Sequence, residues 1–63
     1  MTIEEFDKMG FSNKTIIEYK GVNYYVESVD FAEKLIGIDF FKDEEYGLNW
    51  VRCENTNLVS NGD

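Results

Sequence analysis

The sequence of 63 residues contains no histidine and no proline, and its single cysteine is Cys53. Without histidine the chain lacks the side chain that most often acts as a general base and as a metal ligand. A lone cysteine excludes an intramolecular disulfide, and no base is available to activate this one, so we expect a buried structural thiol. The absence of these groups predicts a protein that is not an enzyme and that carries no cofactor.

Long apolar runs are also missing. No segment approaches the ~18 apolar residues of a membrane span, and the opening MTIEEFDKMGF has neither the basic region nor the apolar run of a signal peptide. We therefore expect a cytoplasmic protein. So short a chain buries only about 60% of the surface that its unfolded form exposes, which makes a deep substrate cavity unexpected.

Basic residues are scarce. The chain has six lysines and arginines and thirteen aspartates and glutamates, which gives a net charge of -7. The acidic residues are spread along the whole chain. Such a charge repels the phosphates of nucleic acids and attracts basic protein surfaces. Direct binding to nucleic acid is therefore not expected, whereas binding to a basic protein is.

The acids contain two weak candidates for a chemical site. Asp39 and Asp43 form an acid pair of the type that glycosidases use, but that chemistry needs a sugar-binding cleft. Asp43, Glu44 and Glu45 offer hard oxygen ligands without the alternating pattern of a calcium-binding loop. We expect neither catalysis nor a metal site here, and a solvated loop instead.

A short helix is predicted at the start of the chain. Thr2 and Glu5 have the spacing of a capping box, in which each side chain bonds the backbone N–H of the other residue. Apolar residues follow three apart on one face, and Gly10 is predicted to end the helix in a left-handed conformation. That cap would let Phe11 fold back onto the helix.

Strands are predicted for most of the remainder. TIIEYKGVNYYVESVDF indicates a hairpin that turns at Lys20-Gly21 and has a bulge near Glu27-Ser28. KLIGIDFF predicts a third strand, with Gly37 where the strand bends sharply or another backbone comes close. LNWVRC predicts a fourth strand, with Trp50 facing away from the core. ENTNLV is expected to return Leu58 and Val59 to the core.

These elements predict an α+β or mainly β protein. A short N-terminal helix would pack on a small, strongly bent antiparallel sheet of four to five strands, in the manner of an SH3-like barrel. Residues 1–59 would form a single domain and residues 60–63 a frayed tail. Because edge strands are open and the core is small, a homo-oligomer is possible.

Adjacent aromatic residues indicate a surface feature. Tyr24 and Tyr25, and likewise Phe40 and Phe41, are neighbours and point to opposite faces of a strand. Some rings are therefore exposed or covered by the helix. Three interpretations stay open at this stage: a core completed by the helix, a protein-binding hot spot, and an aromatic cage for a cation.

Carboxylates along a rigid strand and loop can imitate the phosphates of a nucleic acid. The alternative is that the acidity only keeps an aromatic-rich protein soluble. If it is functional, the partner-binding residues are predicted to be Glu27, Asp30, Glu33, Asp39, Asp43, Glu44 and Glu45, with Tyr46 and Trp50 as aromatic anchors.

The segment from the Tyr-Lys-Gly hairpin to the Trp-Val-Arg-Cys-Glu-Asn ending resembles small acidic SH3-like proteins of bacteriophages and mobile elements. This resemblance covers residues 2–59 and implies a phage context. By looser analogy it suggests anti-CRISPR proteins and other DNA-mimic inhibitors of host defence, whose partner would be an RNA-guided nuclease or another DNA-binding host protein. The alternatives are a peptide- or cation-binding module with an exposed aromatic face, and a small oligomeric structural protein.

Overall fold

The fold is mainly β, with one short helix beside a five-stranded antiparallel sheet. The computed structural model describes residues 1–39 and 48–61. The sheet order is β4-β3-β2-β1-β5, and all neighbours are antiparallel. The elements are α1 (Ile3–Lys8), β1 (Thr15–Tyr19), β2 (Val22–Asp30), β3 (Leu35–Asp39), β4 (Leu48–Arg52), a 3-10 turn (Cys53–Asn55) and β5 (Thr56–Asn61).

Helix α1 begins with the predicted capping box. The Glu5 N–H donates to Thr2 Oγ1 (3.1 Å) and the Thr2 N–H donates to Glu5 Oε1 (2.9 Å). The prediction for its end is wrong, because the cap is Met9 in an extended conformation and Gly10 is not left-handed. The extended exit still brings Phe11 to Phe6, with ring centroids 5.4 Å apart, so no chain reversal is needed.

The predicted hairpin and bulge are both confirmed. Lys20 (φ 52°) and Gly21 (φ 83°) join β1 to β2 in the left-handed geometry of a tight two-residue hairpin turn. In β2 the pairing shifts between Val26 and Ser28, so Glu27 is the extra residue. A bulge bends its strand, and this one lets residues on both sides of it face the same core.

Strand β5 differs from its prediction. Leu58 and Val59 do not return to the core, since 43% and 49% of their surfaces remain exposed. Thr15 and Thr56 are buried at this end of the sheet instead, and the Thr56 hydroxyl donates to the Cys53 carbonyl (2.8 Å). The strand also continues through Ser60 and Asn61, beyond the predicted end of the domain at residue 59.

The core lies between the helix and one face of the sheet. Phe6 is fully buried, and its ring packs against Phe11 and against Phe31, with ring centroids 5.2 Å apart in the second pair. A salt bridge of 2.7 Å from Lys34 to Asp7 adds to the contact between helix and sheet. The buried apolar set is Phe6, Ile17, Val26, Ile36, Ile38, Val51 and Cys53.

The sheet is open over the described residues. Strands β4 and β5 stand at its two edges and do not pair with each other, so this part of the chain is not a closed barrel. No helix in residues 1–39 and 48–61 has the length and apolar character needed to cross a membrane.

Candidate interaction surface

The face of the sheet opposite the core carries an exposed aromatic patch. Ile36 and Ile38 point into the core, so Gly37 between them faces outward. In the ladder Gly37 pairs with Ser28 on one side and Trp50 on the other. We call the patch formed by Ser28, Gly37, Leu48 and Trp50 the outer patch.

Gly37 lets the side chains of the outer patch lie flat on the sheet. A Cβ atom at this position would be 3.0 Å from Leu48 Cδ1 and 3.4 Å from Trp50 Cη2. A methyl group here would crowd Leu48, and a larger side chain would displace both groups. The close neighbours of Gly37 are therefore side chains, whereas the prediction was a sharp bend or the approach of another backbone.

The outer patch remains accessible. Trp50 is 46% exposed and Leu48 is 47% exposed. Helix α1 packs on the other side of the sheet through Phe6, so it does not cover them. The adjacent tyrosines follow the expected alternation: Tyr24 packs partly buried against the core, and Tyr25 is exposed.

Acidic groups border this patch on one side. Asp39, at the end of β3, pairs with Leu48 of the neighbouring strand β4. Its carboxylate therefore lies beside the outer patch. Asp39, Glu27 and Tyr25 line a shallow concavity of about 360 Å³ together with Asn13. Glu27 reaches it because the bulge presents its side chain at the surface. An aromatic ring and two carboxylates suit a positively charged side chain.

Two other predicted acids lie elsewhere. Asp30 pairs with Leu35 at the turn end of the β2–β3 hairpin, whereas Asp39 is at the opposite end of β3. The Asp30 carboxylate accepts a hydrogen bond from the Glu33 N–H (3.0 Å), which closes this turn. The structure therefore gives Asp30 a local structural role and separates Asp30 and Glu33 from Glu27 and Asp39.

The remaining predicted site residues lie outside the described residues. They include acids and an aromatic anchor predicted for the segment before β4, and the second member of the acid pair considered for catalysis. The predictions concerned are those for Asp43, Glu44, Glu45 and Tyr46, and also the predicted alternation of Phe40 and Phe41.

Two basic residues in the described part of the chain are paired with acids. Arg52 Nη2 lies 3.0 Å from Glu54 Oε1, and Lys34 is bonded to Asp7 as described above. Arg52 follows Trp50 by two residues in β4 and lies at the end of the strand opposite Leu48. The acidic border and this cation are therefore at different ends of the patch. The outer patch is thus acidic toward Asp39 and charge-neutral toward Arg52.

Two contributors were missed by the sequence-based site. Tyr25 lines the concavity and Leu48 lies on Gly37, yet neither was among the predicted partner-binding residues. In both cases the alternation of side chains along the strand could have identified the residue. Tyr25 follows another tyrosine on a strand and must face away from it, and Leu48 shares the alternation phase of Trp50.

The chemistry of Cys53 is that of a structural group. The side chain is fully buried, and burial, followed by the nearby Glu54 carboxylate, raises the pKa of its thiol. The thiol form is therefore favoured, which is the unreactive form. Among the described residues there is no cluster of three or more acidic, cysteine or histidine side chains that would hold a metal ion.

Comparison of the chain with protein-family models, with curated protein sequences and with solved structures finds no match.

Proposed function

We propose that this is a non-enzymatic binding protein that presents the outer patch and its acidic border to a basic, nucleic-acid-binding surface of another protein. One observation carries the proposal: Trp50 is seated on Gly37 in the open face of the sheet, beside Asp39 and the Glu27 concavity. Tryptophan anchors are typical of binding hot spots, and acidic groups around them select basic partners.

The charge of the chain supports the choice of partner. A net charge of -7 on so small a protein accelerates encounter with a positively charged groove and disfavours binding to nucleic acid itself. The sheet holds Glu27 and Asp39 at a fixed separation, so little ordering entropy is lost on binding. Solubility alone would not require a half-exposed tryptophan at the border of these acids.

The more specific form of the proposal follows the resemblance. A small acidic SH3-like protein of a phage or mobile element would act in the cytoplasm as an inhibitor of host defence, in the manner of anti-CRISPR proteins and other DNA mimics. In an RNA-guided nuclease, the competing sites are the arginines that bind the short flanking motif and the basic channel of the heteroduplex.

The test is binding and inhibition of cleavage across a panel of RNA-guided nucleases and other basic DNA-binding proteins, each titrated from low to high salt. We expect affinity to fall steeply with salt and DNA to compete for the site. Glu27→Lys should weaken binding strongly. Glu4→Lys, on the exposed surface of α1, makes the same change in net charge and should weaken it much less.

A second candidate function uses the aromatic patch without the charge. In a peptide- or cation-binding module, Trp50→Ala would abolish binding while salt and charge reversal have little effect. In the proposed inhibitor both classes of variant reduce binding, and Trp50→Ala is expected to cost about 2 kcal/mol or more, roughly a 30-fold loss of affinity. If no basic protein in the panel binds, the proposed partner class is wrong.

A further inference from the structure

Strand β5 is an edge of the sheet that carries no charge against pairing. One of its edges pairs with β1, and the other is not paired with any strand in residues 1–39 and 48–61. Natural edge strands are commonly protected by charged residues, proline or a β-bulge. The sequence of β5, TNLVSN, contains no charged residue and no proline. It does have a bulge at Val59, and the Met1 ammonium donates to the Thr56 carbonyl at the start of the strand. Two of its apolar side chains, Leu58 and Val59, are nearly half exposed.

This lack of charge is specific to β5 among the described strands. Each of the other four carries at least one charged residue, in a chain where 30% of residues are charged. In a two-fold symmetric strand pair, residue i lies opposite residue j of the copy, so a charged residue meets its own copy only close to the symmetry axis. Strand β5 brings no charged side chain to such a pair, whereas β4, the other edge strand, brings Arg52.

We propose that β5 is a self-association edge, where two copies of the chain pair their β5 strands antiparallel and extend the two sheets into one. The pairing would satisfy backbone groups on the open edge and cover Leu58 and Val59. It leaves the outer patch free, because β5 and β4 are at opposite edges of the sheet.

The expected dimer is weak and reversible. An interface of one short strand from each copy is far below the area of a standard stable complex. The register of β5 also shifts opposite Ile16 and Ile17, and such an irregularity shortens the stretch that can pair. Self-association should therefore depend on protein concentration rather than be permanent.

Salt distinguishes this dimer from the proposed partner binding. Two copies that each carry a charge of -7 repel one another, and added salt screens that repulsion. Dimerisation should therefore strengthen with salt, whereas binding to a basic protein should weaken. An experiment can therefore disprove the dimer without disproving binding to a basic protein, and the reverse.

The test is sedimentation equilibrium of the whole chain from about 10 µM to about 1 mM, at low and high salt. Val59→Lys, which places two like charges in the paired edge, should weaken dimerisation at least tenfold. Val22→Lys is the matched control, because Val22 has the same exposure (50% against 49%) and lies in the central strand β2. This control should dimerise as the unchanged chain does.

A single monomer mass up to the highest concentration would overturn the proposal, and so would equal dimerisation of both variants. If Val59→Lys proves unfolded by circular dichroism, the unchanged chain still gives an answer through amide NMR shifts. These should change with concentration along Thr56–Asn61, and shifts confined to other strands would contradict the assignment of β5.

Discussion

Trp50 rests on Gly37: a Cβ atom on the glycine would lie 3.4 Å from the indole Cη2 atom, and 3.0 Å from the neighbouring Leu48 Cδ1. The two residues are also directly paired in the β3–β4 ladder. The exposed indole can lie close to the sheet because Gly37 has no side chain beneath it. The orientation of the proposed binding anchor therefore depends on the glycine beneath it.

Gly37→Val is expected to displace both side chains of the outer patch. A branched side chain fits a strand but overpacks this position, so the free energy of unfolding should fall by about 1–3 kcal/mol. Tryptophan fluorescence should report the movement of Trp50, and denaturation in urea the loss of stability. An unchanged emission spectrum together with unchanged stability would contradict the described contact. If the variant folds, its binding to the partner should fall as for Trp50→Ala.

Phe6→Ala should unfold the protein or nearly so. The ring is fully buried and packs against Phe11 and Phe31. Deleting a buried phenylalanine costs about 3–5 kcal/mol, which is comparable to the whole stability of a domain of this size. Ile3→Ala is the control from the same helix, since Ile3 is 40% exposed and should cost far less. Thermal unfolding followed by circular dichroism compares the two, and equal losses would mean that Phe6 is not central to the core.

Two glycines should respond differently to substitution by alanine. Gly21 has a φ of 83°, so Gly21→Ala forces a left-handed conformation and should destabilise by about 1–2 kcal/mol. Gly10 has an ordinary φ and no atom within 4 Å of an added Cβ, so Gly10→Ala should be neutral or stabilise by up to about 1 kcal/mol. Urea denaturation of both variants checks the contrast. A similar loss in both would argue against the hairpin turn at Lys20-Gly21.

Acid should weaken the protein partly through Glu18. Hydrogen bonds from the Asn57 side chain (2.9 Å) and then from the Gly21 N–H (2.6 Å) lower the pKa of Glu18. A lowered folded-state pKa gives stability that is fully present above the unfolded-state value and is lost as pH falls through the folded one. In Glu18→Gln the loss of stability between about pH 7 and about pH 3 should therefore be smaller than in the unchanged chain.

The matching control for acid is Glu4→Gln, at an exposed position on α1. Its pH dependence should follow that of the unchanged chain. Urea midpoints across the pH range measure all three proteins. If Glu18→Gln loses as much stability on acidification as the unchanged chain, the two bonds to Glu18 do not contribute.

Local patterns predicted most of the elements correctly. The Thr2–Glu5 capping box, the Lys20-Gly21 turn and the bulge at Glu27 each depend on residues close in sequence, whose preferences act within a few bonds. A glycine inside an alternating strand predicts a sharp bend or the approach of another backbone, but the close neighbours of Gly37 are the side chains of Leu48 and Trp50.

The errors concern interactions between distant parts of the chain. Leu58 and Val59 looked like core residues by composition, but Thr15 and Thr56 are buried at that end of the sheet. Their hydroxyls bond Asn61 Oδ1 (2.7 Å) and the Cys53 carbonyl, and burial of a polar group depends on such partners, which no local pattern reveals.

The candidate site was predicted in part. Glu27 and Asp39 were selected for their charge alone, and the fold brings them together at one concavity while it places Asp30 and Glu33 at the far turn. Which acids share a site depends on the register of β2 with β3, and that register is set by a single extra residue. Sequence spacing alone does not contain this information.

The order of strands has a consequence for the folding pathway. Pairs β1–β2, β2–β3 and β3–β4 join neighbours along the chain, whereas β5 must return to β1, with Asn61 beside Thr15. We expect the closing of this long loop to be the slowest topological step, because its entropy is lost before its contacts form. Strand β5 should therefore dock last and detach first, exposing the flank of β1 in a state that is otherwise folded. The same strand that ends the folding reaction is then the first to become available for exchange with another chain.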